Sequence, residues 1–325
     1  MNSKGRLMGL GKVYKFSLHQ LFKSKSNLIS FGVFILVAII SVPAMCLFMD
    51  GDSAGTSGFS SEVMTMEEFF TRDEVGFDAR YGVQMAYSVL VMIVCIFSCS
   101  YIVRSIIEEK SSKLVETLMV SVKSESMILG KIFAVMTFIF VMIGLLFTAF
   151  GVSYFVTGMF MDTSVIGNTL AGMGITSDLL NIGPEVILVA VVSLLLAYMT
   201  FALISALSGA GCSNMEDVEA ANMTAMMVIL IGYMAATMAS GFGSAPVIFM
   251  SLCPILSAFA APANFIIGDI GFLTLLGSWA IQILCIFLIH KLSGRVYDSL
   301  IMYKGNRLKM RQIISMAGIN RKGEK

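Results

Sequence analysis

Eight ionisable side chains stand close together between Ser105 and Lys131: Glu108, Glu109, Lys110, Lys113, Glu116, Lys123, Glu125 and Lys131. Carboxylates and ammonium groups at this spacing can form ion pairs, grip a partner surface, or act as general acid and base. Acid–base catalysis needs a reacting partner. The chain shows no nucleophile with a base and an orienting group, no HExxH, and no His/Cys cluster at metal-ligand spacing. It also lacks GxxxxGK[ST]: Gly11-Lys12 and Gly130-Lys131 have neither the upstream glycine nor the following Ser or Thr. No enzyme is expected here, and nucleotide-driven work would need ATP and magnesium bound by another polypeptide.

The remaining reactive side chains read as packing. Cys46, Cys95, Cys99, Cys212, Cys253 and Cys285 lie within or beside apolar runs with no CxxC pair, so buried thiols are expected rather than disulfides or zinc ligands. The 26 methionines are dispersed, as filler in apolar helices is. His19 and His290 are too far apart to point to a site. No cofactor, metal or nucleic acid is expected on this chain.

The elements that position the charged segment are membrane helices. With 57% hydrophobic and 13% charged residues, the chain carries apolar runs longer than a soluble fold buries. About twenty residues at 1.5 Å each cross the roughly 30 Å apolar slab. Six spans are predicted: residues 28–49, 81–103, 132–156, 186–207, 222–243 and 270–290. The first reads as an uncleaved span, because its charge-free stretch is too long for a signal-peptide core. Residues 50–80 are polar and acidic, with one helical turn expected around Met66 to Phe70, and residues 158–185 read as a second outside loop.

Residues 1–27 hold six basic side chains and no acidic one. Leu10, Val13, Tyr14, Leu18, Leu21 and Phe22 recur at helical spacing, which predicts a basic amphipathic helix on the membrane surface. An ordinary positive flank of the first span is a compatible reading. Residues 293–325 form a basic tail.

Ala220 to Gly268 carries no charge and contains Pro246, Pro254 and Pro262. As helix it would measure about 73 Å, long enough for two crossings. One crossing at 222–243 followed by a re-entrant hairpin at 246–267 puts twenty of the 22 Lys and Arg on the inner side, leaving only Arg72 and Arg80 outside. Both termini are therefore expected in the cytoplasm, with the proline region packed against the outer ends of other helices. The spans hold no charge in their middle thirds, unlike proton relays and self-contained carriers. Asp269 falls at a helix end, where a capping role is expected.

Within 105–131, Ile106, Ile107, Leu114, Val115, Leu118 and Met119 make an apolar stripe with charges around it. Such a segment can dock in a partner's groove and move two spans together, or lie as a solvated loop on the membrane. The residues Glu108-Glu109-Lys110, Leu114, Glu116-Thr117-Leu118 and Gly130-Lys131 resemble the cytosolic signature of ABC-2 type permeases, the membrane halves of ATP-binding-cassette exporters. Leu207-Ser208 through Glu216-Asp217-Val218-Glu219-Ala220-Ala221, Pro254-Ile255-Leu256-Ser257 with Ala261-Pro262, and Arg295-Val296-Tyr297 with Leu300 and Lys304-Gly305 are similar to its sodium-efflux-like branch.

The resemblance implies an all-α integral membrane fold with an interfacial helix, a coupling helix between spans two and three, and re-entrant helices before span six. It assigns the ATPase contact to Glu108, Glu109, Lys110, Leu114, Glu116, Leu118, Gly130 and Lys131. Its partners would be an ABC ATPase, a second permease and membrane lipid, in a bacterial-type plasma membrane. The sequence departs from the branch in two places. Val120-Ser121-Val122-Lys123 stands where Ser-Pro is usual, and residues 50–80 are short where sodium-efflux relatives often carry a large external domain. A non-transporting accessory or immunity-type binding protein and a passive channel are the alternatives.

Overall fold

The computed structural model describes residues 9–49, 77–111, 124–161, 166, 184–212, 214–239 and 244–301. The described residues are built from helices: α1 (Leu10–Lys23), α2 (Lys25–Met49), α3 (Phe77–Ser111), α4 (Ser124–Gly158), α5 (Pro184–Ala210), α6 (Val218–Ala239), α7 (Ser244–Leu252), α8 (Ser257–Ile267) and α9 (Phe272–Ile301). A single 3₁₀ turn at Met215–Asp217 leads into α6. Six of these helices, α2, α3, α4, α5, α6 and α9, are long and apolar enough to cross a membrane. The chain is an all-helical, multi-pass membrane protein. At nine and eleven residues, α7 and α8 reach only about 13 and 16 Å, too short to cross.

α3 and α5 form the centre, with α6 and α8 packed onto α3 and with α4 carrying α1 and α2. Close approach depends on small residues. A Cβ on Gly209 of α5 would lie 3.2 Å from the Val103 Cα of α3, and one on Gly232 of α6 would lie 2.9 Å from the Phe259 ring of α8. Where helices gain little from apolar burial relative to lipid, such backbone contact supplies the dispersion energy that holds them. α2 and α9 leave most of their apolar side chains exposed, among them Ile29, Val33, Leu36, Leu273, Leu284 and Phe287.

Pro43 lies inside α2 and has no N–H for the carbonyl of Ile39, four residues back. The Ser153 hydroxyl of α4 donates to that carbonyl at 2.6 Å. A side chain from a neighbouring helix thus replaces the missing backbone donor, as an apolar setting requires.

The short pair α7–α8 is tied together by Asn264, whose Nδ2 donates to Ser251 Oγ at 3.2 Å. Pro246 begins the pair within α7, Pro254 lies in the turn between the helices, and Pro262 is buried within α8. α8 ends on Gly268, whose φ of 93° is open to glycine at little cost. Its N–H and that of Asp269 return to the carbonyls of Phe265 and Asn264, closing the orphaned last turn. Asp269 therefore takes part in a helix end through its backbone.

The charged segment is shorter as independent chain than its composition implies. α3 runs on through Glu108, Glu109 and Lys110 to Ser111, and α4 starts at Ser124, eight residues before the charge-free run. Helix continues because three of these charges find partners on neighbouring helices. The turn expected at Met66 to Phe70 and most of residues 158–185 lie outside the described residues.

Candidate functional site

The site lies at the end of the bundle where α3 finishes and α4 begins. Glu108, Glu109 and Lys110 are consecutive on α3, so they point in three directions around it. Glu108 points to the surface and accepts from Arg104 Nε at 2.8 Å, an i,i+4 pair with both side chains partly solvated. Water screens such a pair, so it contributes little, about 0.3–0.5 kcal/mol.

Glu109 points inward. Its carboxylate meets Lys131 Nζ of α4 at 2.6 Å, and the side chains are 2% and 1% exposed. Lys131 also donates to the Ser105 carbonyl at 3.2 Å, so its charge is held by two groups of α3. Two charges taken out of water add little net stability, yet removing either strands the other. The pair therefore locks the end of α3 to the start of α4, the two helices that flank residues 112–123.

Lys110 turns a third way and donates to the carbonyl of Ala210 at 2.9 Å. Ala210 is the last residue of α5, where carbonyls lack helical partners and the helix dipole favours a cation. Ile106 and Ile107, the start of the apolar stripe, are both buried: Ile106 in the main core and Ile107 in a small cluster with Val103, Cys212 and Ala221.

Gly130 precedes Lys131 and meets α1. A Cβ there would lie 2.9 Å from Val13 Cγ1 and 3.2 Å from the Leu10 carbonyl, so α1 seats on α4 only because this position has no side chain. Farther along the same seam, Tyr14 and Thr137 share a hydrogen bond of 3.1 Å. Phe22 and Tyr101 each set an edge against Phe138, at 5.1 and 5.3 Å. The apolar stripe of α1 thus rests largely on protein: Val13 and Leu21 are buried, and Tyr14 and Leu18 are partly buried, while Lys12 and Lys15 are exposed.

The structure brings Glu109, Gly130 and Lys131 together, with α1 seated beside them. Glu108 and Lys110 flank them on other faces of α3. Leu114, Glu116 and Leu118 lie outside the described residues. Composition did not reveal Val13, Tyr14, Thr137 or Ser105 as parts of this corner. The only available signal was the apolar spacing of α1, which does not say what the stripe rests on.

Among the described residues no catalytic constellation accompanies these side chains. They can transmit displacement: α1, α3, α4 and α5 are joined within a few ångströms by an ion pair, a glycine contact and a cation on a helix end. Comparison with curated proteins and with solved structures finds no match. The family described as ABC-2 family transporter protein matches residues 68–290, from before α3 to the middle of α9. With that match over most of its length and six helices able to span a bilayer, the chain belongs to the ABC-2 transporter family, as a permease subunit of an ABC transporter.

Proposed function

We propose that this permease exports its cargo using ATP hydrolysed by a separate ABC ATPase, and that the charged corner receives the mechanical input. The α1 end of the bundle faces the cytoplasm in this reading, as the distribution of Lys and Arg favours. Residues 112–123, with Leu114, Glu116 and Leu118, dock on the ATPase together with Glu108. Glu109, Gly130 and Lys131 work behind that surface, carrying its displacement into α3, α4 and α1.

The observation that carries this reading is the buried Glu109–Lys131 pair, which joins the two helices leading into and out of the docking segment. A rigid joint at that position makes the two spans move as one when the segment is pushed.

The short pair α7–α8 acts as a re-entrant element that does not cross the bilayer. Lipid or a second permease covers the exposed apolar faces of α2 and α9. Cytoplasmic ATP and a bacterial-type plasma membrane complete the setting.

The test is co-purification of the full chain with a soluble ATPase, with hydrolysis measured in the presence and absence of the chain. Charge reversal of the docking residues, Glu108→Lys with Glu116→Lys, is expected to abolish both association and stimulation. Unchanged association and stimulation in that variant would refute the assignment.

A further inference from the structure

Between α1, the start of α2 and the end of α3 lies a pocket of about 310 Å³. That size is at the small end of ligand pockets, which hold about 300–1,000 Å³. Lys23, Arg104, Ser17, Gln20 and Tyr101 line it, together with Glu108. Two of its polar atoms have no partner among the described residues: the hydroxyl of Ser17, a residue only 3% exposed, and Oε1 of Gln20. A buried hydroxyl without a hydrogen bond is costly unless something else occupies the site.

Two cations with one carboxylate leave the pocket net positive. Glu108 takes only the Nε–H of Arg104, leaving other guanidinium donors for an anion. The position along α3 is equally informative. Arg104 is the first charge after the apolar run that begins at Tyr81, so the pocket lies level with the membrane–water boundary. Exposed Phe22, Leu28 and Ile29 flank it on α1 and α2, offering apolar surface beside a polar socket.

We infer that this pocket binds the headgroup of an anionic phospholipid. The phosphate sits between Lys23 and Arg104 and accepts from the Ser17 hydroxyl, a headgroup hydroxyl donates to Gln20, and the acyl chains lie along the exposed face of α2. Basic pockets between membrane helices on the cytoplasmic side recognise such headgroups by the same chemistry. The inference rests on the membrane placement proposed above.

The test titrates phosphatidylglycerol, and separately phosphatidylcholine, into the purified full chain in detergent, with retained lipid counted by native mass spectrometry. Phosphatidylglycerol is expected to be retained in preference to phosphatidylcholine. Lys23→Gln with Arg104→Gln, and Ser17→Ala alone, are each expected to weaken its retention roughly tenfold, the scale of one lost hydrogen bond to a charged group. Lys15→Gln, on the exposed side of α1, should leave retention unchanged. Should the double variant fail to fold, Ser17→Ala decides, since it preserves volume. Wild-type retention in Ser17→Ala, an equal loss in Lys15→Gln, or displacement of the lipid by millimolar inorganic phosphate would each overturn the proposal. ATPase co-purification is scored separately on the same samples, so the docking reading and the lipid site can fail independently.

Discussion

The charged corner and the α7–α8 pair both bury polar groups among apolar helices, and they satisfy them by different means. At the corner, Glu109 and Lys131 meet as full charges, 2% and 1% exposed. Around α8 the polar side chains are held by neutral partners: Gln84 Nε2 of α3 donates to the Phe259 carbonyl at 3.2 Å and to Ser88 Oγ at 3.0 Å, and Asn264 donates to Ser251. On the membrane placement proposed above, depth accounts for the choice. Charges are tolerated near the ends of the apolar slab and are costly at its centre, whereas amides and hydroxyls can be satisfied at depth by a neighbour's backbone. A charge pair is also conditional in a way that neutral bonds are not, since it fails sharply when one member is lost. In the proposed reading that suits a stiff joint, and the neutral bonds suit a packed wedge.

The largest expected effect comes from splitting the ion pair. Lys131→Ala strands Glu109 in the interior and should destabilise the protein by about 3–5 kcal/mol, whereas replacing both residues with methionine should be close to neutral. Thermal unfolding in detergent, followed by monodisperse recovery, distinguishes the two. If the double replacement is as damaging as the single one, the corner is held by something other than charge pairing.

Two glycines sharpen the comparison at an intermediate scale. Gly232→Ala drives a methyl into Phe259, whose ring is buried and packed on Phe201 at 5.7 Å, so the ring has no room to turn away. A loss of about 1–3 kcal/mol is expected. Gly130→Ala instead pushes on α1, which sits at the edge of the bundle. It should free α1 with a smaller change in melting, measured as lost cross-linking between cysteines placed at Tyr14 and Thr137. Trimming Val13 to alanine removes only the Cγ1 contact and leaves its Cβ at 3.0 Å and the Leu10 carbonyl at 3.2 Å from the new methyl, so it should restore the cross-link only in part.

The smallest effect concerns Pro43. Ser153→Ala leaves the Ile39 carbonyl without its donor and should lose about 1–2 kcal/mol. With Pro43→Ala the backbone N–H returns and the same serine change should have almost no effect. A double-mutant cycle on unfolding reads the coupling directly, and additive losses would mean that Ser153 does not substitute for the missing N–H.

The spans, the proline-broken stretch and the concentration of charge at 105–131 were legible because each depends on local composition. Twenty apolar residues in a row have few alternatives to a membrane helix, and Pro254 ends α7 wherever the chain is placed. The division of labour within the charged segment was not legible. Glu108, Glu109 and Lys110 look equivalent in sequence, yet one faces water, one faces Lys131, and one caps α5. The apolar spacing of α1 had the same blind spot: it shows which face is apolar, and Gly130 is what lets that face seat on α4.

By itself, then, the sequence determined how many helices are long and apolar enough to cross a membrane and which segment between them is charged. Only the tertiary structure decided which charge is buried and which helix it holds, because a residue's rotation about its helix axis and the close approach of helices at single glycines depend on neighbours far away in the chain.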